Sequence, residues 1–160
     1  MTSKFSDQII LRIATPADLP EMQNLFSETV RTICIEDYSP EQIRLWASGS
    51  ENKPRWEDKL KNQYSVVAEF EKKIVGFASL EHNYIDFLYV HKDFQRRGIA
   101  QVLFNNLRSK AEQKGEKRLT SHVSKTAKSF FEKNGFRVLA ENIVRLKGVE
   151  LINYEMELLL

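Results

Sequence analysis

The chain has 160 residues, 42% of them hydrophobic and 29% charged, which suits one core of ordinary size and leaves two domains cramped. Its 24 basic and 22 acidic side chains nearly balance at +2, so bulk charge points to neither nucleic acid nor a membrane surface as partner. One cysteine, Cys34, excludes an internal disulfide, and His82, His91 and His122 show no metal-ligand spacing with the carboxylates, so no metal is expected and the expected setting is a reducing cytoplasm.

The amino-terminal apolar stretch is too short and too interrupted for a signal peptide or a membrane span. It reads instead as a first strand, "IILRIA" at 9–14. Thr15-Pro16-Ala17-Asp18 supplies an N-cap with proline at the first helical position, opening a helix to about Val30. Ser39-Pro40-Glu41-Gln42 repeats that logic as a capping box before a second, short helix carrying Ile43, Leu45 and Trp46. "YSVVAEF" (64–70) and "KIVGFASL" (73–80) are β-branched runs around a charged turn, an antiparallel hairpin. "YIDFLYV" (84–90) is apolar on both faces and therefore reads as a central strand. Ile99, Ala100, Leu103, Phe104, Leu107 and Ala111 recur at helical spacing, with Gly115 as the C-terminal cap. A strand near 117–123, a helix from about 125 to 134 and a closing hairpin around Lys147-Gly148 complete the order β α α β β β α β α β β. Nothing marks a domain boundary, so 1–160 reads as one domain with its core over 9–160.

Between the central strand and the longest helix stands "QRRGIA" (95–100). A helix N-terminus presents unpaired N–H groups and the positive end of the helix dipole, where a phosphate can settle. Gly98 removes an obstructing side chain, Ala100 keeps the next position small, and Arg96 and Arg97 raise the local positive potential. The plain alternative is a surface turn with a geometric glycine and solvated arginines.

In this context the chain resembles the GNAT superfamily of N-acyltransferases. Gln95, Gly98 and Ala100 match the family pattern Gln/Arg-x-x-Gly-x-Gly/Ala, and Ser124, Ala127, Phe130, Phe131, Lys133, Gly135 and Phe136 stand where the family shows Asn-x-x-Ala-x-x-Phe-Tyr-x-Lys-x-Gly-Phe. The segment "EDYSPEQIRLWA" with Trp56 downstream resembles a bacterial subgroup of acetyltransferases without an assigned acceptor. The resemblance implies a GNAT-like α/β (α+β) domain, with a mixed, mostly antiparallel central sheet flanked by helices, and acetyl-coenzyme A as the acyl donor. It implies that Leu88, Tyr89 and Val90 offer backbone groups to the pantetheine arm, with the Val90 amide donating to the thioester carbonyl. The diphosphate would rest on the amides of Arg96, Arg97, Gly98, Ile99, Ala100 and Gln101. Ala127, Phe130 and Phe131 would lie along the pantetheine, or be plain core.

Attack by an amine needs a base, since an ammonium has no lone pair. Glu81, His82, Asp86 and His122 are the candidates by position. Asp86, inside an apolar strand, is either a base with a pKa raised by desolvation or a structural carboxylate paired with a cation or backbone N–H groups. Strand parity puts it on the face of Tyr84, Leu88 and Val90, and a bulge would reverse that count. The family's proton-donating tyrosine is replaced by Phe131, so either Tyr84, Tyr89, Tyr154 or a water substitutes, or the thiolate leaves unassisted.

Tyr38, Trp46 and Trp56 in the amino-terminal third read either as acceptor contacts or as core. Three function classes follow. The first is an N-acetyltransferase acting on a primary amine of a small molecule or peptide by direct attack in a ternary complex, no cysteine standing in either motif. The second is a non-catalytic acyl-CoA-binding module or sensor, suggested by Phe131. A nucleic-acid-binding domain is third and lacks both a basic stripe and an aromatic platform. The leucine-rich last strand, "EMELLL", is either a packed edge or a surface for pairing with a second subunit.

Overall fold

The computed structural model describes residues 4–160; the first three residues of the expected 1–160 domain lie outside it. The amino-terminal strand β1 (Ile10–Ile13) leads through a tight turn into α1 (Leu19–Ile33). Asp18 fixes that turn by accepting the Thr15 N–H at 2.7 Å, and its two oxygens each take a 2.7 Å bond from the Arg12 guanidinium. α1 buries Leu19, Met22, Leu25, Phe26, Thr29 and Val30, the stripe expected of a helix lying on a sheet. The Ser39 capping box forms as read: Ser39 Oγ accepts from the Gln42 N–H and Gln42 Oε1 from the Ser39 N–H, opening α2 (Pro40–Ala47).

A third helix, α3 (Lys53–Asn62), corrects the expected element order to β α α α β β β α β α β β. Its sequence, KPRWEDKLKN, buries only Trp56, so there is no apolar period to detect. Asn52 caps it, with Pro54 in its first turn, and its side chains turn out to matter at the site.

β2 (Tyr64–Phe70), β3 (Lys73–Glu81), β4 (Tyr84–Val90), α4 (Ile99–Gln113), β5 (Arg118–Ser124), α5 (Lys128–Lys133), β6 (Arg137–Leu146) and β7 (Val149–Leu159) complete the domain. The seven strands form one sheet in the order β1-β2-β3-β4-β5-β7-β6, antiparallel throughout except for the β4–β5 pair. The last strand is therefore interior, between β5 and β6, and not the edge its position in the chain suggested. One face of the sheet carries α4 and α5, with Leu103, Phe104, Leu107 and Phe131 in its core; the other carries α1 to α3, with Phe26, Ile43 and Trp56. Gly76 in β3 sets how closely α4 lies: a Cβ there would sit 3.0 Å from Ile99 Cγ2 and from Leu103 Cδ1.

Candidate active site

β4 and β5 pair only at Tyr84↔Thr120 and Ile85↔Ser121, and then part. On the other side β4 stays paired to β3 as far as Val90, where the His91 N–H reaches the Val75 carbonyl at 2.8 Å. Antiparallel alternation then commits the backbone of Tyr89 to β3 and turns the N–H groups of Leu88 and Val90 into the gap. This corrects the expectation that Tyr89 shares in offering main-chain groups. The Val90 carbonyl is taken by Thr29 Oγ1 at 2.9 Å and Gln95 Nε2 at 2.7 Å, so α1 and the following loop hold the free end of β4 in place. Thr29 gave no sign of this in the sequence, because its partner lies 61 residues away.

The gap runs down to the 95–98 loop. Arg96 has φ +59° and Gly98 φ +85°, and two such left-handed residues curl the main chain into a concavity of N–H groups. The first helical bond of α4, from the Val102 N–H to the Gly98 carbonyl, leaves the N–H groups of Ile99, Ala100 and Gln101 outside the helical ladder. Glycine at 98 is demanded by its backbone angle, and a Cβ there would meet Ser6 at 3.4 Å, an ordinary contact within the protein. One sequence expectation changes here. Arg97 is turned away from the cleft: its guanidinium lies over Phe5 at 5.0 Å and Phe94 at 5.4 Å. Gln95 ties the loop back to β4, and Gln101 Nε2 bonds Asn134 Oδ1 at 2.8 Å beside α5. Arg96 and Lys133 remain as the cationic side chains facing the cleft at this end.

The cleft, about 1330 Å³, continues from the loop past Ala127, Phe130 and Phe131 to the parting point of β4 and β5 and on toward α1 to α3. Phe131 is 3% exposed and packs on Phe136 at 4.9 Å, so it serves the core as well as the cleft wall. Ser124 Oγ accepts the Ala127 N–H at 3.2 Å, closing the turn before α5. At the parting point the Tyr84 hydroxyl lies 3.3 Å from His122 Nδ1, both residues lining the cleft. Burial, and then the charge of Asp86, push the Tyr84 phenol above its ordinary pKa, so it keeps its proton at neutral pH.

Asp86 is the extra residue of a β-bulge, since Leu80 faces Ile85 while Ser79 faces Phe87. The bulge sends Ile85, Leu88 and Val90 to the α4 face and leaves Asp86 on the α3 face, bonded to Lys59 and to Gln63 Nε2 at 2.9 Å. Side-chain exposures of 15% and 16% make Asp86 and Lys59 a largely buried pair. Asp86 is thus a paired carboxylate at the cleft wall, and its partner comes from the helix the sequence did not reveal. Glu81 lies in a small recess behind Asp86 and touches Gln63 at 3.2 Å, outside the main cleft. His82 occupies the β3–β4 turn with φ +55° and faces solvent. Glu81 is paired with Tyr84 across β3 and β4 but opens into that recess, and neither residue lines the main cleft.

The α1–α3 end of the cleft, where acceptor contacts were expected, is more buried than its aromatic content suggested. Trp56 is 4% exposed, stacks on Phe87 at 4.8 Å and donates Nε1–H to the Gly49 carbonyl. Tyr38 is a post between elements: its hydroxyl donates to the Ile152 carbonyl at 2.8 Å and accepts the Lys125 N–H at 2.9 Å. These two line the cleft mainly as core, whereas Trp46 is only partly buried. Tyr89, with Cys34 and Tyr38 near its hydroxyl, is a phenol strongly stabilised by burial. Burial likewise pushes the Cys34 thiol up to about 11, so this cleft-lining cysteine is not a thiolate at neutral pH. Among the described residues, no three His, Cys, Asp or Glu side chains cluster as a metal site.

A parted pair of parallel strands, ending in a left-handed loop at the N-terminus of a long helix, is the geometry of an acyl-CoA-dependent transferase. The model of the acetyltransferase (GNAT) domain matches residues 34–158. Over 150 residues the chain is 35% identical to YafP of Escherichia coli strain K12, an uncharacterized N-acetyltransferase, covering 94% of this chain and 95% of that protein. The chain belongs to the GNAT family and is an acyltransferase. The crystal structure of a GCN5-related N-acetyltransferase from Rhodopseudomonas palustris superposes with a TM-score of 0.93 at 31% identity, covering 100% of this chain and 98% of that one. PaiA N-acetyltransferase from Thermoplasma acidophilum, solved in complex with coenzyme A, shares the fold at a TM-score of 0.78 and 20% identity over 95% of this chain and 99% of that one.

Proposed function

We propose that the protein transfers an acetyl group from acetyl-CoA to a primary amine by direct attack in a ternary complex. The observation that carries the reading is that two sets of backbone donors, at Leu88 and Val90 and in the 96–101 loop, open into one cleft. The residues present fit the donor. Leu88 and Val90 N–H groups suit the amides of a pantetheine arm and its thioester carbonyl, and the amides of Arg96 to Gln101, with Arg96 and Lys133 beside them, suit a diphosphate. Acetyl-CoA supplies the activated acyl group.

His122 is the base in this reading. In the tautomer whose Nδ1–H donates to the Tyr84 oxygen, Nε2 is free to take the proton of the amine as it attacks. The Leu88 and Val90 amides stabilise charge growing on the thioester oxygen. Asp86, neutralised by Lys59, shapes the wall instead of accepting the proton. No hydroxyl stands at the Phe131 position, and a thiol of pKa about 8.5 leaves as thiolate without one. Cys34 has neither the charge nor a place in the loop to carry an acyl group, which supports a single direct transfer. Chemically varied amines incubated with acetyl-CoA are expected to release free coenzyme A, detected by a thiol reagent. Tight acetyl-CoA binding with no release for any amine would favour a sensor over a transferase.

A further inference from the structure

The two edges of the sheet are built differently. β1 also exposes Ile10 and Ile13, but it has only four residues and its Arg12 is tied to Asp18 and Glu69. A short, charged edge is a protected one. β6 has ten residues and no proline, and it leaves Leu139 43%, Ile143 58%, Val144 36% and Leu146 38% exposed. Such an edge invites another strand. The turn at Lys147-Gly148 makes Leu146 and Val149 the closing pair of the β6–β7 hairpin, so alternation points the N–H and C=O groups of Glu141, Ile143 and Arg145 away from β7.

We propose that the protein assembles as a two-fold dimer in which β6 pairs antiparallel with β6 of a second copy, with Ile143 opposite the partner's Ile143. Charge selects both the occupant and the register. With Ile143 on the two-fold axis, Glu141 faces the partner's Arg145 and Arg145 faces the partner's Glu141. On the other face Leu146 meets the partner's Ala140. Centring on Glu141 or on Arg145 would oppose like charges, and centring on Asn142 or Val144 would set Ile143 against a charged side chain. The outward backbone groups of residues 141, 143 and 145 are those a hydrogen-bonded pair at Ile143 needs. Arg145 already contacts Glu150 of its own hairpin at 3.2 Å, and its remaining N–H donors are available to a second carboxylate. Val144, Leu146 and Lys147 line the acceptor end of the cleft, so the partner's strand would frame the rim of the site.

Sedimentation velocity of the purified chain is expected to show a dimer. Glu141→Arg and Arg145→Glu should each weaken association at least ~10-fold, and the double variant should restore it. In a Cys34→Ser background, Ile143→Cys should form a covalent dimer on oxidation, because directly opposed residues of a hydrogen-bonded pair lie ~5.5 Å apart at Cα, within disulfide range. Circular dichroism on each variant separates lost association from lost folding. A monomeric wild-type chain, a dimer indifferent to both charge reversals, or a dimer that Ile143→Cys does not cross-link would each overturn the proposal.

Discussion

On the β4–β5 side of the cleft the groups turned inward are backbone amides, held by a bulge, a parted strand pair and two left-handed residues. On the α1–α3 side they are side chains, several of them already engaged: Asp86 with Lys59, Tyr38 with two main-chain groups, Trp56 with Phe87. A backbone site depends on loop geometry and tolerates many side chains, and it suits an invariant nucleotide. A side-chain site can differ from one relative to the next, and it suits an acceptor that differs. Damage to the first side should therefore appear in acetyl-CoA affinity, and damage to the second in turnover.

The largest effect is expected at the junction of the two sides. His122→Gln should lower kcat by ~10²-fold or more while acetyl-CoA affinity stays within a few-fold, as measured by steady-state kinetics beside calorimetry. An unchanged kcat would move the base elsewhere. Gly76→Val puts a branched side chain where a Cβ already has neighbours at 3.0 Å, and it should cost ~1–3 kcal/mol in denaturant unfolding and weaken acetyl-CoA binding as α4 shifts. Asp18→Asn tests a part of the fold remote from both sides. Its carboxyl is held below the ordinary 3.8, at about 2, by the Arg12 guanidinium, so its contribution is complete above the unfolded-state value and is lost as pH falls toward 2. With Arg12 partly exposed, ~1–2 kcal/mol is expected at neutral pH, and little difference from wild type near pH 2. The smallest effect is expected for Arg97→Gln. If the guanidinium braces the loop against Phe5 and Phe94 and does not bind phosphate, acetyl-CoA KM should rise only a few-fold, consistent with ~0.5–1 kcal/mol for an exposed cation–π contact.

How much of this the sequence disclosed followed the same division. The capping box at Ser39, the β2–β3 hairpin and the apolar period of α4 are local, and each formed where its residues indicated. The left-handed turn before α4 was also legible, because glycine at a positive φ leaves a local mark. What stayed hidden was non-local. α3 carries one buried residue and no period, so Lys59 could not be foreseen as the partner of Asp86, 27 residues on. The bulge at Asp86 overrides the parity from which its face was read. The interior place of β7 and the exposed edge of β6 depend on strand order, which no run of residues encodes by itself.

The most direct test of the central claim is calorimetric titration of acetyl-CoA into the wild-type chain and into Gly98→Val, whose β-branched residue would have to adopt φ +85°. Saturable binding by wild type, weakened ~100-fold or more in a variant that keeps its circular dichroism spectrum, is the expected result. No heat from wild type at millimolar ligand, or equal affinity in the two proteins, would contradict the assignment of the 96–101 backbone as the diphosphate site.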